Sequence, residues 1–399
     1  MLSISSSPRV QLQKLILKPL EKVQQEPSPK IVIIDSLHEC SNQADVISLL
    51  IEAARTPTHP ILFFVTSLFD KSIDQAFKKA SVLAPPIDLY NCDDVNDDIR
   101  LFFQSRFADL NEKRGIKESW HSDEDLDHLV ILSSGLFIYA ATVTKFIEGG
   151  RHRPRRRKEI VLKIGDPDGH KLKIYANLDR LYKQILGEIP KDEYSDHIGT
   201  LIGTITLVVH PLTLGDLDDL LQLQPGSARD ALDLLHSLFV VPNLDNDVPV
   251  RLAHTLFGDF IADSERSGEF HRDTRSQHHD ITHFCLKTIV KNLKRDTCNI
   301  GNPELLNSQV INPNIQQRCK TYINGALEYS CRHWTDHLSY AAFSDDLAAD
   351  LREFGHQSLL HWIEALSLLG ALDSALPALR AAQKSLKVSS IDNRSMVAL

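Results

Sequence analysis

The sequence predicts an α/β fold at its N-terminal end, a short parallel sheet that gives way to a long helical region. Three observations carry this. Two brief apolar runs, 31–34 and 61–65, are rich in β-branched and aromatic residues and bounded by prolines or polar loops, as strands of a parallel sheet read. Segments of helical period lie between and after them, giving the alternation of βαβ units. Beyond residue 95 no strand-like run appears for about a hundred residues.

In order along the chain, residues 9–24 place Leu12, Leu15, Ile16, Leu20 and Val23 on one helical stripe, ended by Pro27 and Pro29. The run 31–34 reads as a strand buried on both faces, 43–55 as a helix, and 61–65 as a second buried strand ending in Thr66 and Ser67. A helix over 70–81 and a third strand over 87–90 complete the α/β part. Helices follow at 97–107 and across 123–148, the latter broken at Ser133-Ser134-Gly135. The hydrophilic stretch 149–170 contains RHRPRRRK (151–158), and a helix resumes at 178–186. Residues 195–265 give three helices (197–209, 213–222, 227–239), a strand (248–253) and a helix (255–263), a succession that fits a winged helix. Thr213 and Asp216 stand at capping-box positions of the second helix. From 266 to 399 the pattern is helical without a clear repeat.

Composition narrows the class. With 399 residues, 42% apolar and 24% charged, the chain reads as two to three globular domains. A net charge of −9 argues against a nucleic-acid protein. The six cysteines form no CxxC pair and read as reduced thiols. The opening MLSISSSPRVQLQ lacks the apolar core of a signal peptide, and the longest apolar stretches fall short of the ~20 residues that span a bilayer. The expectation is a cytoplasmic protein with no membrane span.

The chemistry concentrates at IIDSLHEC. The apolar run delivers Asp35 to the carboxyl end of its strand, the edge where open α/β sheets bind ligands. An acid there suits Mg²⁺ beside nucleotide phosphates, and Glu39 is placed to polarise a water. Together with LFFVTSLFD, this text resembles the NACHT-type signal-transduction NTPases of the STAND class, and their fungal set in particular, whose Walker B region reads close to VIDALDEC and is followed by an ILFTSR strand. The resemblance continues in family order through DDIRLFFQSRF, SSGLFIYAATVTKFIEGG, LDRLYKQIL, IGTLIGTITLVVHPLTLGDLDDLL, LLHSLFVVP, VRLAHTLFGDFIADSER and HWIEALSLLG.

The resemblance implies an incomplete P-loop NTPase-type parallel sheet (1–95), a helical lid (96–192), a winged helix (193–265) and an all-α C-terminal region (266–399). Such proteins are similar to NOD-like receptors, held closed by ADP and opened to oligomerise by ATP. By that resemblance Asp35 is the Mg²⁺ ligand, Glu39 a vestigial water-polarising residue, Thr66 and Ser67 the γ-phosphate sensor, and His254 a residue near the phosphate by position alone. Core packing is the favoured role for His254.

The chain also departs from the family. It contains no GxxxxGK(S/T), and its first glycine is Gly115. The Walker A loop supplies the amide cradle, the lysine and a hydroxyl for the metal; its strand and helix would precede residue 1. His38 stands where the family has an acid, Leu68 where it has an arginine, and Phe137 where the lid has proline. The expectation is therefore no bound cofactor and no independent ATPase activity, with ATP and Mg²⁺ belonging to the family, and action through contacts with proteins, either full-length NACHT relatives or a second copy. The alternatives are a fragment of an active ATP-binding NTPase whose Walker A is missing from the gene model, and a winged-helix DNA-binding regulator. The acidic helices of 195–265 disfavour the second.

Two further clusters have bland readings that outweigh sharp ones. RHRPRRRK reads as a solvated linker ahead of a nuclear-localisation or anionic-lipid signal. His271, His278, His279 and His283 read as surface or core histidines ahead of metal ligands, since HHDITH is not HExxH. Trp334 and Trp362 read as core residues. Cys40 has no His or Asn arrangement that would make it a nucleophile.

Overall fold

The structure, a computed structural model, describes residues 7–22, 30–40, 42–55, 61–68, 70–79, 87, 94–117, 119–149, 154–167, 174–189, 197–242, 248–302 and 304–396. These fall into two compact units, Met1–Leu89 and Tyr90–Leu399.

The first unit opens with α1, a continuous helical run made of Pro8–Gln11, a π-helical turn at Leu12–Leu17, and Lys18–Glu21. Strand β1 (Lys30–Ile34) leads through a 3-10 turn (Leu37–Glu39) to α2 (Gln43–Ala54), then β2 (Ile61–Val65) and α3 (Lys71–Lys79). The strands pair in parallel, Lys30 with Ile61 through Ile34 with Val65. Side chains alternate across a strand, so Lys30, Val32 and Ile34 share a face with Ile61, Phe63 and Val65. On that face Ile34 and Val65 pack against Leu37, Ile47 and Ile73. Leu15, Ile16, Pro19 and Leu20 of α1 border it, forming a groove of about 340 Å³ with Lys30, Val32 and Ile61. Arg9 ties α1 to Glu52 of α2 at 2.9 Å.

The other face departs from the sequence expectation. Ile31, Ile33, Leu62 and Phe64 are 68, 70, 53 and 58% exposed, so these strands are not buried on both faces among the described residues. The described helices of this unit pack on one side of the pair. Of the expected strand over 87–90, only Ile87 is described, and it is exposed; the rest lies outside the described residues.

The second unit is built on helices. In α4 (Val95–Arg114), Ile99, Phe103, Phe107 and Leu110 recur at helical spacing and are buried. Phe107 meets Trp120 edge-on at 4.6 Å, and Gly115, at φ +62°, ends the helix in the left-handed region. A reciprocal Ser122–Asp125 capping box starts α5 (Asp123–Ser133). Ser134 and Gly135, at φ +49° and +75°, turn the chain into α6 (Phe137–Glu148), which buries Tyr139, Val143, Phe146 and Ile147. Each such apolar burial stabilises by about 1.5–3 kcal/mol.

The described part of the basic run 151–158 is not a solvated linker. From Pro154 it forms α7 (Pro154–Ile164), with Arg157 and Lys158 buried. The Arg157 guanidinium lies 4.4 Å over the Phe146 ring, donates to the Phe146 carbonyl, and meets Glu188 at 3.0 Å. Lys158 pairs with Asp125. Charged groups are buried here because each has a partner. Helix α8 (Ala176–Leu186) follows, and its Asp179 pairs with Arg266 at 2.8 Å.

Residues 197–263 hold α9 (Gly199–Leu207), α10 (Leu214–Leu220), α11 (Ser227–Asp233), an antiparallel pair β3 (Phe239–Val240) and β4 (Arg251–Leu252), and α12 (Leu256–Ala262). The expected helix over 227–239 stops at Asp233. Phe239, buried, belongs instead to the ribbon, whose Leu238 carbonyl accepts the Ala253 N–H at 2.8 Å. Beyond it lie α13 (Ser264–Ser267), α14 (Thr274–Asn292), α15 (Ile315–Tyr322), α16 (Gly325–Leu338), α17 (Asp345–Gln357), α18 (Leu359–Leu368) and α19 (Ala375–Met396). Trp334 and Trp362 meet at 5.8 Å in the core, as expected.

Polar junctions join these helices. Thr213 and Asp216 form the capping box of α10, and Asp216 reaches further. Its Oδ1 accepts the Ala326 N–H at 3.0 Å at the start of α16, while Oδ2 accepts the Thr213 hydroxyl at 2.6 Å. One carboxylate thus serves the amino ends of two helices, where the backbone dipoles favour negative charge. A Cβ at residue 325 would lie 2.4 Å from Asp216 Oδ2, so a side chain there would displace that carboxylate. A second junction is a histidine–tyrosine chain. The Nδ1 atoms of His278 and His337 are 2.8 Å apart, His337 Nε2 lies 2.6 Å from the Tyr329 hydroxyl, and that oxygen accepts the Val209 N–H at 3.1 Å.

Two outcomes are expected. Asp216→Ala lowers stability by about 2 kcal/mol, because it removes acceptors from two helix starts; urea unfolding followed by circular dichroism checks this. Burial, reinforced by neighbouring His278, lowers His337 to about 4. The unfolded chain, with an ordinary histidine near 6.5, then binds more protons than the folded one. Stability is full above about pH 6.5 and falls as pH drops toward 4, by roughly 3 kcal/mol at most. Urea midpoints measured across that window decrease on acidification, and His337→Gln flattens the slope.

Candidate functional site

The carboxyl ends of β1 and β2 form the candidate site. Parallel pairing brings Asp35 and Thr66, one residue past each strand, side by side. The Thr66 hydroxyl donates to Asp35 Oδ1 and its Oγ1 accepts the Ser36 N–H at 3.0 Å. The backbone closes the same junction, Thr66 N–H to the Ile34 carbonyl and Leu37 N–H to the Thr66 carbonyl, both at 2.9 Å. Ser36, at φ +56°, takes the left-handed turn that swings Leu37 into the core and leaves Asp35 exposed.

Glu39 ends the 3-10 turn and is exposed. Ser67 is exposed as well, and its hydroxyl donates to the Leu68 carbonyl at 2.8 Å, within its own strand end. Two of the positions at which the chain departs from the family it resembles, 38 and 68, prove to be bonded to one another. His38 Nδ1 accepts the Leu68 N–H at 3.0 Å. Sequence reasoning did not anticipate that bond, since only the strand register places the two positions together.

His254 lies in the other unit. It is exposed rather than packed in the core, and its Nδ1 accepts the Leu256 N–H at 3.1 Å, at the start of α12. The ring lacks a core role because Phe257, Phe260 and Ile261 supply the buried face of that helix.

The histidines of α14 have protein partners. His279 Nε2 is 2.9 Å from Ser344 Oγ, and His283 Nδ1 is 2.6 Å from Asp350 Oδ2. Lys287 meets the other Asp350 oxygen at 2.9 Å and Glu353 at 2.8 Å. His279, Asp280, His283, Asp346 and Asp350 line a cleft of about 540 Å³. Among the described residues, no group of three or more His, Cys, Asp or Glu is arranged to hold a metal ion. Among the same residues, no helix is long and apolar enough to cross a membrane.

Comparison with known proteins adds one line of evidence. The chain is similar to the vegetative incompatibility protein HET-E-1 of Podospora anserina, 24% identical over 378 aligned residues that cover 88% of this chain and 26% of the relative. The chain thus spans about a quarter of the length of the curated relative it matches. No family model and no solved structure matches. The similarity extends over most of the chain and supports a NACHT-related family.

Proposed function

We propose that the chain is a signalling protein of the NACHT/STAND type, of the heterokaryon-incompatibility kind, that acts through protein–protein contacts without independent ATPase activity. In this reading residues 1–95 are a partial nucleotide-binding core, 96–192 a lid, 193–265 a winged helix and 266–399 a helical extension. The observation that carries it is the Asp35–Thr66 hydrogen bond at the paired strand ends. It joins Asp35 and Thr66, to which this reading gives the parts of Walker B acid and sensor hydroxyl, in a chain whose similarity to HET-E-1 runs through both units.

The residues present do not fit an ATP–Mg²⁺ complex. Asp35 has one oxygen engaged by Thr66, and the α/β part of the sequence contains no glycine to form an amide nest. His38 stands in the acid position and its Nδ1 accepts the Leu68 N–H, and Leu68 brings no cation to phosphate charge. A single carboxylate facing a polyanion repels it. Glu39, Thr66, Ser67 and His254 accordingly keep their family positions without the family's chemistry. A second reading, a segment of a longer ATP-binding NTPase, is favoured by the relative being about four times the length of the matched region. An in-frame GxxxxGK(S/T) in a longer transcript would establish it.

Isothermal titration of the chain with ATP–Mg²⁺ is expected to give no saturable binding at low-micromolar nucleotide; a Kd in that range, or stoichiometric nucleotide in the purified protein, refutes the proposal. Thr66→Ala is expected to destabilise the first unit by about 1 kcal/mol, since the Ser36 amide and Asp35 both lose a partner. Limited proteolysis within residues 1–89 is then faster, and ATP turnover stays at background.

A further inference from the structure

We propose that Cys298 and Cys319 form an oxidisable dithiol, closed to a disulfide by hydrogen peroxide. The two sulfurs lie 3.9 Å apart in van der Waals contact, Cys298 fully buried and Cys319 9% exposed. The contact bridges two segments. Cys298 follows α14, in a turn whose Asp296 carboxylate accepts the Ile300 and Gly301 amides at 2.6 and 2.9 Å. Cys319 is on α15, and the neighbouring Arg318 donates to the carbonyls of Cys298 and Asn299. The turn is thereby held against the helix, with the two sulfurs side by side.

The surroundings assign different roles to the two thiols. The Cys298 S–H donates to the Cys319 sulfur, and the Cys319 S–H points to the Leu368 carbonyl at 3.6 Å. Cys319 therefore has a hydrogen bond waiting for its thiolate, while the charges of Glu328 and Arg332 act on it in opposite directions. Burial first, then the neighbouring Cys319 and the charges of Glu364 and Asp296, raises Cys298 to about 12. Burial raises Cys319 as well. Thiolate is the reacting form, and Cys319, the sulfur with some exposure and the acceptor of the Cys298 S–H, reacts first.

In the first step the Cys319 thiolate attacks one peroxide oxygen. The S–O bond forms, the O–O bond breaks, and the hydroxide released takes up a proton as water. In the second step the Cys298 sulfur attacks the resulting sulfenic acid. The S–S bond forms, the S–O bond breaks, and hydroxide leaves with the Cys298 proton as a second water. Two thiols and one peroxide give one disulfide and two waters, with two electrons passing from sulfur to oxygen. The stretch 299–318 becomes a closed ring that ties the turn after α14 to α15. By restricting the unfolded chain, the ring raises stability.

The test uses the full chain, purified reduced and exposed to hydrogen peroxide until exposed Cys40 is fully oxidised. Peptide mapping without reductant is expected to show Cys298 joined to Cys319, reversed by dithiothreitol, with a Tm higher by several degrees in the oxidised form. Cys298→Ser is expected to stop at a sulfenic acid on Cys319, trapped by a cyclic 1,3-diketone. Should that variant fail to fold, the wild-type chain still decides: the reduced form is expected to bind one phenylarsine oxide, which needs two adjacent thiols, and to lose it on oxidation. Absence of the 298–319 linkage at that dose, a linkage joining a different pair, or failure to bind the arsenical overturns the proposal.

Discussion

Two parallel strands cannot cover both of their own faces, and this constraint shapes the first unit. The described helices gather on the side of Ile34 and Val65, where Leu37, Ile47 and Ile73 make a small closed core. The opposite side presents Ile31, Ile33, Leu62 and Phe64. Parallel sheets are ordinarily covered on both faces, because their crossovers lie over them. What keeps the pair in register is local: five paired positions, then the Thr66 hydroxyl and backbone closing over Asp35, Ser36 and Leu37. The candidate site is therefore also the fastening of the sheet, and its hydroxyl serves structure whatever else it serves.

Much of the architecture was legible as pattern. Strand runs, helix positions and the break at Ser134-Gly135 follow from periodicity and turn chemistry, which are local properties. The Thr213–Asp216 box was legible for the same reason. Burial was not. An apolar run reads as a covered strand, yet cover is supplied by other elements, and pattern alone does not say whether they are there. The short ribbon at Phe239–Val240 was hidden inside a helical pattern, since Leu232, Leu235 and Leu238 keep helical spacing while the chain has already turned. Of the candidate site, the placement of Asp35 and Thr66 at neighbouring strand ends was readable. The bond between His38 and Leu68 was not, because thirty residues separate them and only register joins them.

In the second unit, helices meet through glycines and shared polar groups as well as through apolar stripes. Gly199 and Gly203, one turn apart on α9, leave room for Arg272 and Gln277; a Cβ at Gly203 would sit 1.7 Å from Gln277 Oε1. Gly149 admits the His236 ring in the same way, and that ring bonds the Lys145 carbonyl at 3.0 Å. These contacts carry the chain from the 95–189 helices through the ribbon segment into the C-terminal helices. Their residues are spaced far apart in sequence, which is why composition and periodicity are silent about them.

The paired burial of Arg157 and Lys158 changes how the charge of this surface is counted. A tally of letters credits α7 with a dense cationic stripe, yet two of its cations face inward against Glu188, Asp125 and an aromatic ring, while Arg155 leans on Glu159 at 3.3 Å. An approaching polyanion would therefore meet a much weaker field on this helix than the sequence advertises, and removing Arg157 or Lys158 would disturb the interior before it altered any attraction at the surface.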